Sequence, residues 1–137
     1  MENITEVDHA ESNGRAWLAS IVQMVEELEA AGDDDDAKDA VRERIIESPL
    51  SVQTRCTAWH EPGTDTPASE DDEFEILLST GGPAARIFGQ LGQHMQPENI
   101  RLEIQGWFKP WTALTNLTQT EGEALEAFVN EFYFGDG

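Results

Sequence analysis

The sequence predicts an α+β fold in which helices cover one face of a four-stranded antiparallel sheet, with the elements in the order ααββββα. Two observations lead to this prediction. Apolar residues recur at helical spacing near both ends of the chain, whereas in the middle they alternate with polar residues as in strands. The chain has 137 residues, of which 39% are hydrophobic, so it is long enough for one domain with a single core.

A first helix is predicted to follow a flexible acidic tail at residues 1–11. Ser12 and Asn13 can cap the N-terminus of this helix, and Gly32 can end it. Between them, apolar side chains recur at helical spacing: Trp17, Leu18, Ile21, Val25 and Leu28. Residues 12–137 are therefore expected to form a single α+β domain.

A second helix is predicted over residues 36–47. Val41 and Ile45 would supply its buried stripe. Pro49 lacks a backbone N–H, and its ring disfavours a helical conformation in the residue before it, so the helix is expected to end ahead of the proline.

The middle of the chain is predicted to form an antiparallel meander. From residue 50 the apolar period changes to two, which indicates half-buried strands. Four runs carry this alternation: Val52, Thr54, Cys56 and Ala58; Phe74, Ile76 and Leu78; Ile87, Gly89 and Leu91; Ile100, Leu102 and Ile104. A glycine and proline turn at residues 80–83 separates the second run from the third. The polar segment 60–72 is expected to be a mobile acidic loop.

The C-terminal part is predicted to be a third helix that follows an irregular stretch at residues 106–117. Thr118 with Glu121, or Thr120 with Glu123, fits a capping box at its start. Its apolar stripe is strong and comprises Leu125, Phe128, Val129 and Phe132. These side chains are expected to pack with the first helix on one face of the sheet, over Val52, Ile76, Ile87 and Leu102.

The charge excludes several classes of partner. The chain has 28 acidic and 8 basic residues, a net charge of −20. Such a surface repels nucleic acid and anionic membranes and attracts basic proteins, so direct nucleic-acid or membrane binding is not expected. No secretory signal and no apolar run near the roughly 20 residues of a membrane span is visible. A cytoplasmic location is therefore expected.

Motifs for metals, cofactors and catalysis are missing from the sequence. The run DDDDAKDAVRER lacks the alternating ligands and the glycine of a calcium loop, and the single Cys56 excludes a cysteine-clustered zinc site. The segment STGGPA lacks the lysine of a phosphate-binding loop and is interpreted as a hairpin turn. No nucleophile–histidine arrangement is present. We therefore expect neither an enzyme nor a cofactor.

Four aromatic residues could also serve a function: Trp59, Trp107, Phe108 and Trp111. Single-strand nucleic-acid binders stack bases on such side chains, but they combine them with a basic groove. This chain has only two lysines. We interpret these aromatics as packing residues of the core and the sheet edge.

The acidic residues are unevenly distributed. Residues 1–47 hold 14 acids and 4 bases, whereas the predicted sheet segments 48–59 and 76–117 together hold 2 acids and 4 bases. The densest run is residues 26–36, with seven carboxylates and no base. Glu26 is expected to lie nearly opposite the apolar stripe of the first helix, with Glu29 beside it.

Several segments give the chain a resemblance to a known group. These are ESPLSV (47–52), EILLSTGGPAARI (75–87), PWT (110–112) and FYFG (132–135). Over about residues 12–135 the chain resembles short acidic proteins of uncharacterised role from bacterial phages and mobile elements. The resemblance carries no catalytic motif. It implies a context in which small acidic proteins inhibit host defence, as anti-CRISPR and anti-restriction proteins do.

The leading hypothesis is a non-enzymatic inhibitor whose carboxylates imitate nucleic-acid phosphates and occupy the basic groove of a host-defence nuclease complex. The residues predicted to bind this partner are Glu26, Glu29, Asp33, Asp34, Asp35 and Asp36, followed by Glu70, Asp71, Asp72 and Glu73 of the loop. An alternative is an acidic interaction domain for a basic protein unrelated to nucleic acid. A third account is salt adaptation, which would place acid on every face.

Overall fold

The computed structural model describes residues 6–55, 72–80, 83–92, 95–106, 110–132 and 134, with the side chains of residues 6–9 excepted. It has an α+β fold with three helices and a five-stranded antiparallel sheet, one strand more than predicted. The helices are α1 (Glu6–Ala31), α2 (Asp35–Glu47) and α3 (Gln119–Val129). The strands are β1 (Ser51–Arg55), β2 (Glu73–Ser79), β3 (Ala84–Leu91), β4 (Pro97–Gln105) and β5 (Thr112–Ala113).

Helix α1 begins at Glu6, so the predicted tail is wrong for residues 6–11. Ala10 and Gly14 are both buried and continue the apolar stripe toward the N-terminus. A Cβ atom on Gly14 would lie 2.5 Å from Cγ2 of Ile104, so the helix approaches β4 closely at this point. The stripe was missed because its first two members are small. Ser12, predicted as an N-cap, is instead an exposed residue within the helix.

Helix α2 confirms its prediction to within one residue. Asp34 is its N-cap, and the carboxylate of Asp34 accepts a hydrogen bond from the backbone N–H of Ala37 at 3.2 Å. Val41 and Ile45 are buried, as predicted, because α2 packs against α1.

Replacing Asp34 by alanine is expected to lower the free energy of unfolding by about 1 kcal/mol, since the cap satisfies an otherwise unpaired N–H of the first turn. Chemical denaturation of the two variants Asp34→Ala and Asp33→Ala checks this. Asp33 is equally exposed and is not the cap residue, so its variant should unfold like the original protein. Equal destabilisation of both variants would contradict the capping role.

The sheet is a meander with the strand order β1-β2-β3-β4-β5, all pairs antiparallel, as predicted. Phe74, Ile76 and Leu78 are buried in the common core and alternate with half-buried neighbours, which are polar except for Leu77. The fifth strand, β5, pairs Ala113 with Glu103 of β4. It lies in the stretch predicted as irregular and has two residues, too few to show a period.

Two further predictions about the sheet need correction. Val52 pairs with Ile76 and therefore points to the helical face, yet its side chain is 38% exposed. Strand β1 is at the edge, whereas α1 packs mainly on β3 and β4. Asp72, assigned to the mobile loop, is half-buried, and its N–H donates to the carbonyl of Arg55 at 3.0 Å. Residues 60–71 of that loop lie outside the described residues.

The C-terminal helix packs as the sequence predicts. The hydroxyl of Thr118 accepts from the N–H of Glu121 at 3.1 Å, and the Glu121 carboxylate accepts from the N–H of Thr118 at 2.9 Å, which completes the capping box. Leu125, Phe128 and Val129 are buried in the common core with α1. Phe132 lies beyond the end of α3 but still packs against this core, with its ring centroid 5.3 Å from that of Phe128.

Candidate partner-binding surface

The C-terminal half of α1 carries two exposed carboxylates, Glu26 and Glu29. Glu26 was expected nearly opposite the apolar stripe, but it lines one groove together with Val25 of that stripe, and Glu29 lies beside it as expected. With Val22 and Val25 the two glutamates form the side of α1 that faces α3, because residues at these spacings share one helix face. Glu123 of α3 lies across from them on the same groove.

A run of four aspartates follows α1 in the chain. Gly32 ends α1 with a positive φ of 55°, a conformation that glycine adopts at no steric cost. Asp33 and Asp34 then form the connection, and Asp35 and Asp36 open α2. All four side chains are exposed. We give the name acidic ridge to six of the seven carboxylates in residues 26–36, leaving out Glu27, which pairs with Arg44. Its members are Glu26, Glu29, Asp33, Asp34, Asp35 and Asp36.

Within the described residues, no ion pair involves a member of the acidic ridge. Lys38 of α2 is the base nearest to the aspartates in the chain, and it is in no ion pair among the described residues, whereas two arginines of α2 are paired elsewhere. Arg44 pairs with Glu27 on the α2-facing side of α1, and Arg42 pairs with Glu131 at 3.1 Å. The ridge therefore presents six exposed carboxylates to solvent without an ion pair, and its net charge stays strongly negative even with Lys38 nearby.

Among the described loop carboxylates, Glu73 does not extend this ridge. Glu70 and Asp71 lie outside the described residues. Glu73 is on β2 next to the buried Phe74, so its side chain points to the sheet face away from the helices. There Glu73 accepts a hydrogen bond from Nε of Arg55 at 2.6 Å. The structure therefore separates Glu73 from Glu26 and Glu29 by the thickness of the sheet.

The sheet face away from the helices carries a network of paired charges. Arg86 on β3 bonds to Glu75 at 2.8 Å and to Glu103 at 2.7 Å. Arg101 donates to the second oxygen of Glu103 at 3.0 Å. The five strands hold 4 acids and 3 bases, so this face is nearly neutral.

Aromatic rings are part of the same network. The guanidinium carbon of Arg86 lies 4.3 Å from the ring centroid of Phe88 and 4.4 Å from that of Trp111. Phe88 is only 7% exposed although no helix covers it. Trp111 is thus a packing residue, in agreement with its interpretation from the sequence. The network was not recognised in the sequence, although its members occupy the polar positions of alternating strands.

Replacing Arg86 by methionine is expected to lower the free energy of unfolding by about 1–3 kcal/mol, because in a confined environment Glu75 would lose its arginine partner and Glu103 would keep only Arg101. Arg55→Met is the matched control. The Arg86 side chain is 17% exposed and that of Arg55 is 68% exposed. An exposed pair contributes less than about 1 kcal/mol. Denaturant titrations should show a clearly larger loss of unfolding free energy for Arg86→Met than for Arg55→Met. Equal losses in the two variants would contradict this account.

Metal binding and membrane insertion find no support in the described part of the chain. No group of three or more histidine, cysteine, aspartate or glutamate side chains there is arranged to hold a metal ion. No described helix is both long and apolar enough to cross a membrane.

Comparison with known proteins places this chain in no family: no family model, curated protein or solved structure matches it. The resemblance to acidic proteins of phages and mobile elements consequently stays an expectation from the sequence.

Proposed function

We propose that this protein is a non-enzymatic inhibitor that presents the acidic ridge to the basic nucleic-acid groove of a partner. The observation that supports this proposal is the asymmetry of the charge. Ridge carboxylates are exposed and take part in no ion pair among the described residues, whereas Glu73, Glu75 and Glu103 on the opposite sheet face are held by arginines.

The spacing of the ridge is compatible with phosphate mimicry. Duplex DNA carries one negative charge per roughly 1.7 Å of its axis, and an α-helix rises by about 1.5 Å per residue. Residues 26–36 place seven carboxylates in eleven positions, six of them on the ridge. A basic groove that binds phosphates would thus meet a comparable charge density.

The proposed target is a nucleic-acid-binding complex of host defence, such as a CRISPR effector or a restriction enzyme. This class follows from the resemblance of the sequence to acidic proteins of phages and mobile elements. Salt adaptation is a weaker account, because it predicts an excess of acid on every face, and the described sheet face balances its glutamates with arginines.

A second candidate is an acidic interaction domain for a basic protein unrelated to nucleic acid. The groove beside Glu26 and Glu29 favours it, since its floor is formed by apolar side chains including Val22 and Ala127. A nucleic-acid phosphate backbone has no comparable apolar surface. A partner that contacts this floor would therefore recognise apolar surface as well as negative charge.

Displacement of DNA distinguishes the two candidates. A fluorescently labelled duplex is bound to a CRISPR effector or a restriction endonuclease, and the protein is titrated in while anisotropy is followed. Mimicry predicts release of the duplex, with an effect that weakens steeply as salt rises, because charge steers the association. A protein that binds the enzyme but leaves the duplex in place would overturn mimicry and favour the second candidate.

A further inference from the structure

The side of α1 that carries Glu26 and Glu29 forms an open groove with α3. Its volume is about 280 Å³. The apolar floor consists of Val22, Val25, Ala124 and Ala127, and the rim consists of Glu26, Glu29, Thr120 and Glu123.

Small side chains keep this groove open. Val25 and Ala124 are buried in the core, and Val22 and Ala127 are half-buried and pack against it. Helix α3 contributes only alanines, Ala124 and Ala127, to the floor. These short side chains do not fill the space between the two helices, so the glutamates stand above the floor. The result is an accessible apolar strip within an otherwise acidic surface.

No described base forms an ion pair with a carboxylate of the rim. Glu26 and Glu29 take part in no ion pair among the described residues, and Glu123 accepts one hydrogen bond from the amide of Gln119 at 3.1 Å. Helix α3 contains no base. The one base of α1, Arg15, donates to the carbonyl of Thr115 at 2.6 Å. Three carboxylates therefore surround an apolar floor without a positive group from either helix.

We propose that this groove takes an arginine side chain of a basic partner protein. The methylene stem would lie on Val22 and Ala127, as long cationic side chains do on apolar surface. The guanidinium would lie among Glu26, Glu29 and Glu123, where its planar set of five donors can serve carboxylates on both sides. Lysine fits less well, because its ammonium is more strongly hydrated and acts as a point charge. The assignment rests on the proposed function and names the partner chemistry at this part of the ridge.

Two synthetic peptides test the assignment: a helical alanine-based peptide with four arginines, and its twin with four lysines. Calorimetry measures their affinities, and amide NMR shifts locate the contacts. The arginine peptide should bind more tightly and shift residues 22–29 and 120–127. Ala127→Leu fills the floor without changing charge and should weaken the arginine peptide by about fivefold, the loss that corresponds to about one buried methylene.

The control is Ala40→Leu, the same change at an exposed position of α2, which should leave both affinities unchanged. Thr120→Arg is a second variant that brings a guanidinium of the chain itself to the rim, and it should also weaken the peptide if Ala127→Leu perturbs folding. Equal affinity for the two peptides, or affinity unaffected by both groove variants, overturns the assignment. DNA displacement is measured in a separate experiment. A negative peptide result would therefore overturn only the groove assignment, and absence of DNA displacement would overturn only the proposed mimicry.

Discussion

Reversing Glu26, Glu29 and Asp33 to lysine is expected to weaken binding to a basic partner by about a hundredfold or more. Each reversal replaces an attraction by a like-charge contact, and a combined loss of about 3 kcal/mol corresponds to that factor. These three side chains are exposed and form no ion pair within the described residues. Fold stability should therefore change little, by less than about 1 kcal/mol.

The measurement is the affinity for the partner enzyme at two salt concentrations, together with thermal melting. Glu11, Glu43 and Glu126 supply the control, because they are exposed residues on α1, α2 and α3 outside the ridge. Their reversal changes net charge equally. Should both triple variants lose affinity to the same extent, total charge rather than the ridge would carry the binding. Unchanged affinity of the ridge variant would show that the acidic ridge is not the partner-binding surface.

Cutting Phe128 to alanine is expected to lower the free energy of unfolding by about 3–5 kcal/mol. Phe128 is fully buried between α1 and the sheet, and its ring contacts that of Phe132. Removing the ring loses its transfer free energy and leaves a cavity that the surrounding helices and strands can only partly close. The denaturant midpoint should fall while the slope of the transition stays the same.

Leu50→Ala serves as the matched apolar truncation. The Leu50 side chain is 62% exposed, so its loss should change the free energy of unfolding by about 0.5 kcal/mol or less. Comparable losses in the two variants would mean that the common core does not centre on Phe128.

The sequence determined the elements whose evidence is local. Helix α2 was predicted to within one residue, because its apolar pair and the proline behind it lie within a few turns. The meander of β1 to β4 was likewise readable from spacing alone. Spacing left two possible capping boxes for α3, and the structure shows the one formed by Thr118 and Glu121. The alternation in β2 also specified which of its side chains enter the core, since successive residues of a strand point to opposite faces.

Tertiary structure decided what depends on neighbouring elements. Gly14 lets α1 approach β4, and Ala10 extends the buried side of the same helix. Strand β5 forms because the edge of β4 pairs with two residues that show no period of their own. The alternation in β2 is enough to predict which face of the sheet Glu73 occupies. Its partner Arg55 depends on the register of β1 against β2, which only the tertiary structure decides.

The same reason applies to the candidate site. Its carboxylates were found by counting charge along the chain, which is a property of composition. The surroundings of these carboxylates could not be predicted in this way, because the side of α1 that meets α3 depends on how both helices pack on the sheet. That packing brings Glu123 to the groove of Glu26 and Glu29, and no pattern within either helix contains this information.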